Sequence, residues 1–160
     1  MVTWSSFAYL ATWVWFFITA LKLSLVDFRE HRLPNILVLV TYIGGIVGFT
    51  FIAFTQNDFQ VLVSSLLGSL IACLVYLAIH FLGGMGMGDV KYAAVVGLYL
   101  GSLGWSYLYL GSLISFACAA LWVLPLMFIR RKTRDVPFGP FMALGVLVSG
   151  LLAIGVSAGA

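Results

Sequence analysis

The stretch YAAVVGLYLGSLGWSYLYLGSLISFACAALWVLPLMFI, residues 92–129, contains no charged residue. Lys91 precedes it and Arg130 follows it, so a cation marks each end. As one continuous helix these roughly 38 residues would be ~57 Å long at about 1.5 Å per residue. One crossing of a bilayer needs only about 20 residues. The stretch therefore predicts two membrane crossings, with a tight turn near Gly101-Ser102-Leu103-Gly104.

The composition of the whole chain indicates the same class of protein. Of its 160 residues, 63% are hydrophobic and 8% are charged, whereas soluble domains carry about 25% charged residues. The apolar runs have the length of helices, and they do not form the series of short alternating segments typical of an outer-membrane barrel. We predict an all-α polytopic membrane bundle of six transmembrane helices, in which residues 1–160 form a single domain.

Six apolar runs serve as the predicted spans: 4–26, 34–55, 60–82, 90–104, 106–129 and 137–157. With the N-terminus outside, all eight Lys and Arg residues fall at cytoplasmic ends, as the positive-inside rule requires. This distribution explains the net charge of +3 by topology, so we expect a lipid bilayer and no nucleic acid as partner. Small residues recur at four-residue spacing and predict close helix packing in lipid: Gly44 and Gly48, Gly97 and Gly101, Gly111 and Ser115.

Two carboxylates lie at the edges of apolar runs and, in this topology, on the same face of the membrane. Asp27 closes the first span, and Asp89 follows the glycine-rich segment that ends in Gly86-Met87-Gly88. An ionisable group at the edge of hydrocarbon is costly and is a functional hypothesis by default. Two carboxyls that share a proton provide a general base and a general acid at once, because close like charges do not both ionise cheaply. The pattern predicts acid–base catalysis by Asp27 and Asp89.

Other interpretations of these residues compete with that hypothesis. Each acid could simply cap a helix, which suits the start of a span but not Asp27, since the dipole at a helix C-terminus disfavours an anion. Asp27 and His31 have i, i+4 spacing and with Asp89 could hold a metal, but the sequence offers no evident third nitrogen or sulfur ligand, so we expect no metal and no other cofactor. A proton-coupled transporter would place its carboxylates near the bilayer midplane rather than at its edge.

Three short blocks give the chain a resemblance to a known family. They are Asp27 running into Leu33-Pro34-Asn35, then Gly86-Met87-Gly88-Asp89-Val90-Lys91, and finally Pro137-Phe138-Gly139-Pro140. In this order the chain resembles the type IV prepilin peptidases, which are aspartic membrane proteases of the GxGD type.

The resemblance implies catalytic roles for Asp27 and Asp89. Gly86 and Gly88 can supply backbone flexibility and close approach, so that Asp89 can swing toward Asp27. Lys91 is interpreted as an anchor at the cytoplasmic face, and its alternative role in the supporting loop is to bias the acid pair or to hold the substrate. Substrate contact is expected from the remaining residues of the blocks: Pro34, Asn35, Pro137, Phe138, Gly139 and Pro140.

The resemblance also implies a substrate and a location. A pilin or pseudopilin precursor would lose its basic leader peptide at the cytoplasmic face of the bacterial inner membrane. Other precursors, such as a preflagellin, are the alternative substrates. Larger family members carry a cytoplasmic insertion with paired cysteines and N-methylate the new terminus. About seven residues separate the first two predicted spans here, without a cysteine pair, so we expect a short form without methyltransferase activity. The sequence does not indicate an oligomeric state.

Overall fold

The computed structural model describes residues 4–30, 33–83, 85–129 and 137–159, and this part of the chain is helical. Its helices are α1 (Trp4–Glu30), α2 (Asn35–Gln56), α3 (Gln60–Phe81), α4 (Met87–Leu103), α5 (Trp105–Ile129) and α6 (Gly139–Gly159). Each coincides with a predicted span, and their boundaries differ from the predicted ones by up to four residues. The predicted fold class, a helical membrane bundle, is confirmed.

Five of these helices are long and apolar enough to cross a membrane. The exception is α4, which has 17 residues and lies at the centre of the bundle. It contacts α2, α3, α5 and α6, while α1 packs between α2 and α6. Consistent with this position, α4 is buried continuously over residues 95–101. The other helices expose many large apolar side chains, which suits a surface that faces lipid.

The bundle is held together by glycines that allow close approach of helix backbones. A Cβ atom built on Gly97 would lie 2.6 Å from the Cβ of Ala72, and one built on Gly101 would lie 2.5 Å from the carbonyl oxygen of Ser64. Glycine is therefore required where α3 and α4 meet. The other predicted pairs also lie in interfaces: Gly44 and Gly48 face Trp15 and Thr12 between α1 and α2, and Gly111 and Ser115 face Gly145 between α5 and α6. The packing role predicted for these small residues is confirmed.

The predicted turn between the fourth and fifth helices is also confirmed. α4 ends at Leu103 and α5 begins at Trp105. Gly104 between them has a φ of 117°, a conformation that residues with a Cβ rarely adopt. Its N–H donates to the carbonyl oxygen of Gly101 at 3.2 Å. The chain thereby reverses within a single residue, and α5 can pack beside α4.

Candidate active site

Asp27 lies in the last turn of α1, where it is only 4% exposed. Its Oδ2 atom accepts a hydrogen bond from the backbone N–H of Gly139, at 3.0 Å. Gly139 is the first residue of α6, and the carbonyl of Phe138 accepts the first hydrogen bonds of that helix, from Phe141 and Met142. The carboxylate therefore sits at a helix N-terminus, where the helix dipole and free N–H groups favour an anion. The N-terminus of α6 thereby offsets the unfavourable interaction of Asp27 with the dipole at the C-terminus of α1.

Asp89 occupies the first turn of α4, and Gly86 is the N-cap residue. The carboxylate is half-buried and faces back toward the backbone of Gly86, as the acid does in a capping box. The two acids, which are 62 positions apart in the sequence, thus lie at the same end of the bundle, hereafter the carboxylate end.

Leu33 fills the space between the segments that carry the two acids. A Cβ atom built on Gly88 would lie 3.3 Å from the Cβ of Leu33, and one built on Gly139 would lie 3.3 Å from its Cδ2. The side chain thereby touches the start of α4 and the start of α6. Leu33 belongs to the Leu33-Pro34-Asn35 block, but its position between the two acids could not be predicted, because an apolar residue beside a proline carries no chemical signal of its own.

The glycines before Asp89 differ in conformation and surroundings. Gly86 has φ −74° and ψ 151°, which any residue adopts, and a Cβ atom there would meet Asp89 at 3.4 Å. Gly88 allows close approach to Leu33. Gly83, three residues before Gly86, has a φ of 80°, a conformation that favours glycine.

Lys91 and Asn35 are brought together across the bundle. The Nζ atom of Lys91 donates a hydrogen bond to Oδ1 of Asn35, at 3.0 Å, in an exposed position. Pro34 is the N-cap of α2, and its carbonyl accepts hydrogen bonds from Leu37 and Val38. Lys91 thus ties the N-terminal part of α4 to the first turn of α2.

The residues of the Pro137–Pro140 block have separate positions. Gly139 binds Asp27, and a Cβ atom added there would lie 2.8 Å from the Asp27 carboxylate. Pro140 falls in the first turn of α6, where its missing N–H does no harm. Phe138 packs its ring on Tyr76 and Phe116, at centroid distances of 6.2 Å and 5.3 Å. Gly139 donates its backbone N–H to Asp27, so the block positions this acid directly through its backbone.

Tyr76 of α3 is a second residue that the sequence analysis missed. Its side chain is 3% exposed, and its ring also packs on Phe116, at 5.4 Å. In the described part of the chain its hydroxyl has no hydrogen-bond partner. The sequence of an apolar run does not show which neighbouring helix a tyrosine in it faces, so only the tertiary structure could reveal the position of Tyr76.

The histidines do not complete a metal site in the part of the chain that the structure describes. His80 uses Nδ1 to bind the backbone carbonyl of Met85, at 2.7 Å, as expected of a hydrogen-bonded residue at a helix end. His31, the ligand considered beside Asp27, lies outside the described residues. The described ranges contain no group of three or more His, Cys, Asp or Glu residues that could hold a metal.

The sequence profile of the type IV leader peptidase family matches residues 12–124, a range that includes Asp27 and Asp89. The chain belongs to this family. No solved structure matches it significantly.

Named relatives extend this family assignment. The prepilin leader peptidase/N-methyltransferase of Legionella pneumophila is 34% identical over 157 residues, which are 92% of this chain and 49% of the relative. The protein of the same name from Aeromonas salmonicida is 29% identical over 142 residues, covering 86% and 46%. The one from Pseudomonas aeruginosa is 30% identical over 135 residues, covering 78% and 43%. The chain thus spans about half the length of these family members.

Proposed function

We propose that the chain is a membrane aspartic endopeptidase that removes the leader peptide from prepilin-type precursors. The observation that carries this proposal is the placement of Asp27 and Asp89 at the carboxylate end, Asp27 against the N-terminus of α6 and Asp89 in the first turn of α4. The family assignment supports the same reaction, since relatives in three bacteria are named prepilin leader peptidases. Residues 1–160 act as one catalytic unit in this proposal.

The geometry suggests how the two acids divide the work. Asp27 accepts the N–H of Gly139 at the start of α6, so the single negative charge of the pair is favoured there. Asp89, half-buried beside that charge, holds the proton, because two adjacent carboxylates do not both ionise cheaply. A water molecule between them is thereby placed next to one base and one acid.

The reaction then proceeds in two steps, and each step moves one proton to an aspartate and one proton from an aspartate. Asp27 takes a proton from water as the water oxygen bonds to the carbonyl carbon, and Asp89 gives its proton to the carbonyl oxygen. In the second step the proton now on Asp27 passes to the leaving nitrogen while the C–N bond breaks. The hydroxyl proton returns to Asp89 as the new carboxyl group forms. Both acids end in their starting states, so neither a metal nor a covalent intermediate is needed.

The substrate and its location follow from the position of the acids. In this proposal the carboxylate end faces the cytoplasm at the bacterial inner membrane. A precursor would insert its apolar helix beside the exposed apolar faces of the bundle and present the junction with its basic leader to the two acids. Pro34, Asn35 and the Pro137–Pro140 block surround this end and are the proposed substrate-contact residues.

The decisive test replaces each acid by its amide. We expect Asp27→Asn and Asp89→Asn each to reduce cleavage of a prepilin in liposomes below detection, because a base and an acid must coexist. Glu30→Gln and Asp58→Asn are the matched controls, since both remove a carboxylate that is exposed, and they should retain most of the activity. Substantial cleavage by either dyad variant, measured by the mass of the processed pilin, would refute the aspartic mechanism.

A further inference from the structure

The packing of α3 on α4 places Tyr76 on the side of Asp89, the proton donor of the two aspartates. These helices run antiparallel in close contact, since Gly68 of α3 faces both Gly97 and Gly101 of α4, and Ala72, one turn on, also faces Gly97. Tyr76 continues this face by one further turn toward the carboxylate end, as residues four apart share a helix face. The same face brings His80 to the loop before α4. The register therefore directs Tyr76 at the first turns of α4, where Asp89 lies.

The ring of Tyr76 is held in that direction by aromatic packing. Phe116 of α5 lies at a centroid distance of 5.4 Å, and Phe138 lies at 6.2 Å. Phe138 directly precedes Gly139, the residue whose N–H binds Asp27. One short segment therefore supports the general base through its backbone and orients Tyr76 through a side chain.

The hydroxyl of Tyr76 can donate a hydrogen bond to a ligand. The side chain is 3% exposed, and its oxygen has no hydrogen-bond partner among the described residues. Leaving a buried donor unpaired costs about 1–3 kcal/mol, and an acceptor on the substrate would remove that cost. The unpaired hydroxyl of Tyr99 shares this property, so it is the register of α3 on α4 that places Tyr76 on the side of Asp89.

We propose that Tyr76 is a further catalytic residue, which donates a hydrogen bond to the carbonyl oxygen of the scissile peptide bond. This inference rests on the proposed function. The acid Asp89 must approach that same oxygen, so a donor beside Asp89 lies on the correct side of the substrate. As electron density moves to the oxygen during attack by water, the hydrogen bond strengthens, and this stabilises the transition state more than the bound substrate. A phenol is also neutral, so it leaves the single charge of the acid pair undisturbed.

The test compares two tyrosines with the same buried, unpaired hydroxyl. Tyr76→Phe should lower kcat on the order of 100-fold, the effect typical of losing one donor to a developing oxyanion, with KM changed less than about twofold. Tyr99→Phe is the matched control. Its hydroxyl is likewise unpaired in the described part of the chain, but its ring lies among Trp13, Phe16 and Phe49, and it is ten positions further along α4 than Asp89. This control should keep the wild-type kcat.

A binding measurement separates a catalytic role from a structural one. A leader peptide with a hydroxyethylene group in place of the scissile bond mimics the tetrahedral intermediate, and Tyr76→Phe should weaken its binding by a factor similar to the loss in kcat. Binding of the unmodified peptide to the same variant should be unchanged. A kcat within twofold of wild type, or equal losses of affinity for both peptides, would overturn the inference about Tyr76. If the wild-type chain did not cleave the precursor at all, the proposed function itself would fail instead.

Discussion

The backbone N–H of Gly139 binds Asp27 at the start of α6. At the scale of single residues this makes Gly139 as important as the acid, because a Cβ atom there would lie 2.8 Å from the carboxylate. We expect Gly139→Ala to displace Asp27 and lower cleavage on the order of 100-fold, the typical effect of a misplacement of about 1 Å in an active site. The measurement is kcat with a prepilin substrate.

The control for this variant is Gly150→Ala in the same helix. A Cβ atom at Gly150 would meet Trp13 at 3.4 Å, an ordinary van der Waals contact, so this variant should cleave at the wild-type rate. Equal rates for Gly139→Ala and the wild type would show that Asp27 tolerates a methyl group beside it and that the Gly139 contact does not fix its position.

For single residues, the sequence reveals the two aspartates but not the residues that surround them. Asp27 and Asp89 could be predicted to lie at the same end of the bundle, because the positive-inside rule puts both on one face and each lies at the edge of an apolar run. The roles of Gly139, Leu33 and Tyr76 could not be predicted in the same way. Each depends on which neighbour from another helix its atoms face, and an apolar run that contacts lipid on one side and protein on the other gives no periodic sign of that direction.

Between elements, the tightest packing is that of α3 on α4. Gly97→Ala should separate these helices, since the new methyl group would lie 2.6 Å from the Cβ of Ala72. We expect a loss of about 1–3 kcal/mol in the free energy of unfolding, the usual cost of overpacking. Denaturant titration in detergent micelles measures it. Gly155→Ala, where no atom lies within 4 Å of the added Cβ, should unfold like the wild type, and equal stability of both variants would argue against a tight interface.

The helices themselves could be predicted from the apolar runs, but their ends could not. α1 continues to Glu30 and α4 begins at Met87, whereas the predicted spans ended at 26 and began at 90. Hydropathy marks where the chain leaves the hydrocarbon, and a helix continues past that point while its backbone hydrogen bonds can still form. Both acids consequently lie inside a terminal helical turn rather than in a loop.

For the whole molecule, the proposed orientation has a direct test. Single cysteines at Gln56 and Thr133, introduced after Cys73 and Cys118 are replaced by alanine, should react with a membrane-impermeant thiol reagent from opposite sides of the membrane. Gln56 should be labelled in intact spheroplasts, and Thr133 only after lysis, because all eight Lys and Arg residues were assigned to the inner side. Labelling of both positions from one side would contradict the six-span topology.

The enclosure of α4 has a consequence for how the protein is made. With 17 residues that include Asp89 and Lys91 near its N-terminus, α4 is a poor substrate for the translocon, since about 20 predominantly apolar residues are needed to span the bilayer. Its neighbours α3 and α5 meet that length with 22 and 25 residues. We therefore expect α4 to enter the bilayer together with α3 and α5 rather than alone, so that biosynthesis of the active site depends on helices that carry neither acid.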